Sequence, residues 1–149
     1  MKYLSRRSFL EVLGMGVGTT AIAGSMSSFY NTTKGTGNYE GKKLNVALCG
    51  LGNYAGMLAD GLAVSQYCRL AGVISGHPAK AEQWKKSYNI PQNNIYSYKN
   101  FDEISKNKDI DLVYVVLPNA MHKEFVIRSA RAGKHVITEK PMATSVKDC

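Results

Sequence analysis

The sequence predicts an α/β chain built on a doubly wound parallel sheet, and three observations carry that prediction. From Leu44 to Thr138, short apolar runs of strand length alternate with segments of helical pattern. No hairpin signal separates these runs, so each connection is a right-handed crossover between parallel strands. A glycine-rich turn joins the first run to the first helical segment.

The elements follow in order. Leu44 to Cys49 is mostly apolar, as in a strand buried on both faces. A helix pattern then runs through Met57, Leu58, Leu62 and Val64. Arg69 to Ser75 reads as the second strand. Pro78 opens a second helix through Trp84 and Tyr88, since proline suits the first helical turn. Asn94 to Tyr96 is a short third strand. Asn100-Phe101-Asp102-Glu103 reads as a capping box. Leu112 to Leu117 is a strong fourth strand ended by Pro118-Asn119. Glu124 to Ala132 is helical, with Gly133 placed to stop it. His135 to Thr138 is the fifth strand, and a further helix is expected from Ser145. A complete fold of this class has a sixth strand. The domain at 43–149 is therefore expected to be incomplete, with its last strand and a substrate domain beyond residue 149, and inactive alone.

Residues 1–23 read as an address. Arg6-Arg7 precede Phe9-Leu10, an apolar stretch runs from Val12 to Ala23, and Ala21-Ile22-Ala23 supplies a small-residue cleavage pattern. This matches a twin-arginine signal peptide, read by the twin-arginine export machinery, and implies a bacterial periplasmic location. That stretch is short against the ~20 residues needed to span a bilayer, so no stable membrane anchor is expected. Residues 24–42 form a polar, glycine-containing linker or arm. Because this route exports folded proteins, it suits one that carries a cofactor.

Composition excludes other classes. With 44% hydrophobic and 20% charged residues, the chain is of ordinary globular type. Its net charge of +8 is scattered and lacks base-stacking aromatics, which argues against nucleic acid. Cys49, Cys68 and Cys149 have neither metal-ligand spacing nor a disulfide pattern, so no metal site is expected.

The chemistry starts at Gly50-Leu51-Gly52-Asn53-Tyr54-Ala55. A G-x-G-x-x-A that follows a strand and opens a helix is the context for dinucleotide binding, although the same residues could make a tight turn alone. Gly50 allows the turn, Gly52 lets the backbone approach a pyrophosphate, and Ala55 keeps helix and sheet close. The helix N-terminus then faces the phosphates. An NAD site usually carries Asp or Glu about 20 residues on. Here Ile74-Ser75-Gly76-His77-Pro78-Ala79-Lys80 has no acid. Ser75 and Lys80, helped by His77, can receive a 2′-phosphate, so NADP is expected over NAD.

Taken with Leu117-Pro118-Asn119, His122, Ala132-Gly133-Lys134-His135-Val136 and Glu139-Lys140-Pro141-Met142-Ala143, these residues resemble the Gfo/Idh/MocA oxidoreductase family. Within it they are most similar to the glucose–fructose oxidoreductase branch. The resemblance implies a Rossmann cofactor domain, a second α+β domain, and hydride transfer between a sugar carbinol and a nicotinamide. It implies pyrophosphate contacts from Gly50, Leu51, Gly52, Asn53 and Tyr54. It implies 2′-phosphate contacts from Ser75 and Lys80. Leu117, Pro118, Asn119 and His122 would lie beside the ribose and nicotinamide, and Glu139 with Lys140 would form the active-site edge. Asn53 stands where the branch has lysine, and Gly56 also departs from the pattern. A cis Lys140–Pro141 bond and a homo-oligomer of the full-length protein belong to the same expectation.

Lys140 is the catalytic candidate. At the carboxyl end of a strand it faces the crevice where such sheets bind ligands. Its ammonium can stabilise charge developing on a sugar oxygen, and partial burial would fit it to move a proton. His122 can equally well orient the helix behind Asn119, and His135, at the start of a buried strand, reads as structural. Two other functions stay open: an NAD-dependent glycosidase of the same family, and a non-catalytic nucleotide-binding fragment.

Overall fold

A computed structural model describes residues 41–149. The signal expected at 1–23, and the arm at 24–42 up to residue 40, lie outside the described residues. Five strands form one parallel sheet: β1 (Leu44–Cys49), β2 (Cys68–Ile74), β3 (Ile95–Tyr96), β4 (Leu112–Val115) and β5 (His135–Thr138). Their order is β3-β2-β1-β4-β5. The reversal of winding lies between β1 and β4, where open sheets of this kind bind ligands. Three helices cross over: α1 (Asn53–Val64), α2 (Pro78–Tyr88) and α3 (Asn119–Arg131).

The alternation of side chains along the strands sorts the core into two layers. Val46, Leu48 and Val73 face α1 and α2, packing with Ala55, Ala59 and Trp84. Ala47, Cys49, Val113 and Val115 face the other way, against Phe125 of α3 and against Phe101 and Ile104. Both faces are thus covered, which is why β1 reads as a continuous apolar run. β5 is an edge strand paired with β4 alone, and its Ile137 is 44% exposed.

Several boundaries differ from the sequence reading. β2 begins at Cys68 and ends at Ile74, because Ser75 turns inward to hold the next loop. Asn94 belongs to a 3₁₀ turn, and its side chain donates to the Ala71 carbonyl at 2.8 Å. β4 stops at Val115, and the chain then leaves it through Val116, whose N–H donates to the Cys49 carbonyl at 2.8 Å. α3 starts at Asn119, five residues before Glu124, because Pro118 stands at the cap and its free carbonyl accepts from the Met121 amide at 2.8 Å. The expected capping box does not form. Asn100 Oδ1 turns back to accept from the Ser97 amide at 2.7 Å and its hydroxyl at 2.8 Å, and Phe101–Lys106 is a 3₁₀ helix. The helix expected from Ser145 is a 3₁₀ turn at Val146–Asp148. His135 is exposed on the edge strand rather than buried.

Gly133 closes α3 as expected. At φ +72° it lets the Lys134 amide reach the Ser129 carbonyl (3.1 Å) while its own amide reaches Ala130 (3.0 Å), satisfying two carbonyls of the last turn.

Arg128 ties α3 to the segment before β4. Its guanidinium carbon lies 4.9 Å from the ring centres of both Phe101 and Phe125. Its nitrogens donate to Asp102 (3.0 and 3.1 Å), Glu124 (3.0 Å) and the Tyr98 carbonyl (3.0 Å). Asp102 is mostly exposed, so the two rings and the carbonyl contribute more than the ion pair. Arg128→Met is expected to lower unfolding free energy by about 1–3 kcal/mol in denaturant titration. The Arg128 hydrogen bond, above all, holds Asp102 below its ordinary value of 3.8. The ion-pair share is therefore complete above that value and fades as pH falls beneath it, so the gap between the two proteins should narrow in acid.

Candidate functional site

The site begins at the end of β1. The Gly50 amide donates to the Ile74 carbonyl at 2.9 Å, which anchors the turn to β2. Gly50 has φ +100°, and a Cβ there would lie 2.5 Å from the Val116 carbonyl oxygen. No other residue fits that position. Leu51 then points into the core at 5% exposed. Gly52 caps α1, and a Cβ on it would meet no atom within 4 Å. The space in front of it is open to a ligand.

The first turn of α1 has no acidic residue and no side-chain cap. Its leading amides therefore lack partners from the helix and carry the positive end of its dipole. Asn53 and Tyr54 are exposed there, and Ala55 is fully buried against the sheet. This geometry suits a pyrophosphate.

Tyr54, Val116, Leu117, Asn119, His122, Glu139 and Lys140 line a cleft of ≈ 420 Å³ beside the turn. Six of these seven residues were singled out in the sequence. Lys140 is exposed at the mouth, so the partial burial expected of it is absent. The Lys140–Pro141 bond is cis. A larger hollow of ≈ 690 Å³, beside β3, is lined by residues such as Gln92, Asn107 and Asp109 and holds none of the candidates.

His122 is 1% exposed, and both its ring nitrogens lie 2.7 Å from backbone carbonyls, Nδ1 from Pro141 and Nε2 from Leu117. A neutral imidazole has a single N–H, so the tautomer sets which carbonyl it serves. The ring thus sits between the loop after β4 and the loop after β5, each of which places a carbonyl against one of its nitrogens.

Ser75 and Lys80 sit at the end of β2, away from this cleft. Ser75 is 4% exposed, and its Oγ accepts from the His77 amide at 3.1 Å. The hydroxyl braces the turn from within. His77 and Lys80 are exposed around the start of α2, and the Lys80 side chain makes no hydrogen bond or ion pair among the described residues.

Two tyrosines escaped the sequence reading. The Tyr98 ring would lie 2.7 Å from a Cβ on Gly76, so it packs directly on that backbone. Tyr114 Oη donates to Glu139 Oε1 at 2.5 Å. Tyr114 is held protonated well above the ordinary phenol value, by burial first and then by its bonds to Glu139 and Tyr54. Hydrogen bonds from Tyr114, above all, hold Glu139 below the ordinary carboxylate value, with Tyr54 and the Lys140 amide adding to the effect. No sequence pattern announced either tyrosine, because each contact depends on strands brought together by the sheet. Cys49 is fully buried, and burial pushes its thiol up, so it offers no nucleophile.

Residues 44–149 match the family described as an oxidoreductase family with an NAD-binding Rossmann fold. The structure resembles aldose-aldose oxidoreductase from Caulobacter crescentus, crystallised with glycerol, at 47% identity and TM-score 0.70, covering 72% of this chain and 32% of that one. It also resembles scyllo-inositol dehydrogenase from Lactobacillus casei with bound NAD(H) and scyllo-inositol, at 28% identity and TM-score 0.62, covering 72% and 31% of the two chains. The dTDP-3,4-didehydro-2,6-dideoxy-alpha-D-glucose 3-reductase of Saccharopolyspora spinosa is 34% identical over 79 residues, which are 53% of this chain and 22% of that protein. The chain thus spans about a third or less of the length of these relatives.

Replacing His122 by leucine keeps the bulk but leaves a buried carbonyl without its donor. The variant is expected to lose about 1–3 kcal/mol of stability in equilibrium unfolding. An unchanged midpoint would show that the ring does not join the two loops.

Proposed function

The chain belongs to the Gfo/Idh/MocA oxidoreductase family, and from that membership we propose that residues 43–149 are the cofactor-binding part of an NADP-dependent sugar oxidoreductase. In this reading it is of the glucose–fructose oxidoreductase type, exported to the periplasm by residues 1–23 and homo-oligomeric at full length. The observation that carries the reading is the convergence of the glycine turn and Lys140 on one cleft. The 47% identity to a protein named for its action on aldoses supports the substrate class.

The residues present fit a dinucleotide. Space is open in front of Gly52, no acid stands in the first turn of α1, and a close carbonyl keeps any side chain out of position 50. When bound, NADP supplies the nicotinamide carbon that exchanges a hydride with the sugar. The chain's own groups do the rest. The amides at the start of α1 hold the pyrophosphate. His77 and Lys80 face the 2′-phosphate, with Ser75 acting from below as the brace of their turn. Leu117, Pro118 and Asn119 form the wall beside the nicotinamide ribose. Lys140, at the mouth of the cleft, donates a hydrogen bond to the sugar oxygen and stabilises the charge that grows there in the transition state.

Isothermal titration of the purified chain with NADPH and with NADH tests the cofactor assignment. NADPH is expected to bind about tenfold more tightly or better, a gap of ~1.4 kcal/mol from one cation meeting the 2′-phosphate. Lys80→Glu should remove most of that preference, because a carboxylate repels the phosphate. Tighter binding of NADH by the unsubstituted chain would contradict the assignment.

A further inference from the structure

We propose that Tyr114 is a positioning residue: its hydroxyl pins the Glu139 carboxylate, and through it the strand exit that presents Lys140 to the cleft. Its functional meaning rests on the dinucleotide reading of the cleft; the pin itself does not.

The sheet puts the partners in place. Tyr114 on β4 is the register partner of Ile137 on β5. Alternation then sends Ile137 and Glu139 to the same face, so the Tyr114 ring, packed in the layer beneath α1, reaches Glu139 one step along. The 2.5 Å contact from Tyr114 Oη to Glu139 Oε1 is in the range of a hydroxyl bonded to a charged carboxylate. Tyr54, in the first turn of α1, lines the same cleft as Glu139 and Lys140. The middle of β4 is therefore bonded to the exit of β5, and the start of α1 borders the same cleft.

A free glutamate at a strand exit samples many rotamers, and the backbone after it follows. Here the carboxylate is held by the Tyr114 hydroxyl, and Lys140 is the next residue. Tyr114 touches neither the open cleft nor, in this reading, the cofactor. It acts by removing the freedom of Glu139, as preorganised sites require of their supporting groups.

The test uses the full chain, with carboxyl-labelled glutamate followed by ¹³C NMR against pH, and titrations with NADPH and with adenosine 2′,5′-bisphosphate, which lacks the nicotinamide half. Tyr114→Phe is expected to raise the titration midpoint of Glu139 and to weaken NADPH about tenfold, while the bisphosphate binds within about twofold. In a Glu139→Ala background, Tyr114→Phe should have no further effect on NADPH. An unmoved Glu139 midpoint, or equal weakening of both ligands, would overturn the proposal. If Tyr114→Phe does not fold, Glu139→Gln carries the ligand arm of the test: it should weaken NADPH and spare the bisphosphate, and equal weakening of both overturns the proposal. Failure of the unsubstituted chain to bind either ligand would sink the dinucleotide reading, and is distinguishable because the Glu139 midpoint decides the pin independently.

Discussion

One carbonyl oxygen sets the geometry of the cleft. The Val116 oxygen lies 2.5 Å from where a Cβ on Gly50 would be, and Gly50 holds φ +100°. Steric overlap and backbone conformation both bar a side chain there. With that position bare, the exits of β1 and β4 lie against each other, and the chain can turn straight into α1. Leu51 is then forced into the core, Gly52 faces outward, and the first amides of α1 aim at the space bounded by Leu117, Asn119, Glu139 and Lys140.

The electrostatics of that space follow from its neighbours. A helix N-terminus favours an anion, yet Glu139 places a carboxylate on the rim. The conflict is reduced because the carboxylate is turned to its own donor, the Tyr114 hydroxyl 2.5 Å away. No acid stands at Ser75-Gly76-His77, so nothing in that turn opposes an anion beyond the end of β2. Tyr98 on Gly76 adds a steric reason: with the ring 2.7 Å from a would-be Cβ, an acid at residue 76 has no room unless the ring moves. Below the cleft, His122 sits between the two loops that border it, with a ring nitrogen 2.7 Å from a carbonyl of each.

Most of this fold was legible because the central strands β1 and β4 are buried on both faces and read as apolar runs bounded by Gly and Pro. The glycine turn was legible for the same reason that it works: at position 50 only glycine tolerates the backbone conformation and the close Val116 carbonyl. Less legible were features set by tertiary contact. α3 begins at Asn119 because Pro118 caps it with its backbone, a signal that polar residues such as Asn119 and His122 conceal in a search for apolar periodicity. Asn100 has the side chain of a cap but spends it on Ser97, a competition the sequence does not decide. Ser75 was correctly placed at the strand end, but its hydroxyl faces the turn. Tyr114 was invisible as a site residue, since its partner is 25 positions away on another strand.

The account's central claim is that a dinucleotide lies across the carboxyl ends of β1 and β4. Its most direct test is a ¹H–¹⁵N NMR titration of the chain with NADPH, followed residue by residue. The account predicts that the largest amide shifts fall on Gly50–Ala55, on Leu117 and Asn119, and on Glu139–Lys140, with the hollow beside β3 unmoved. Shifts centred on Gln92, Asn107 and Asp109, or none at saturating cofactor, would contradict it.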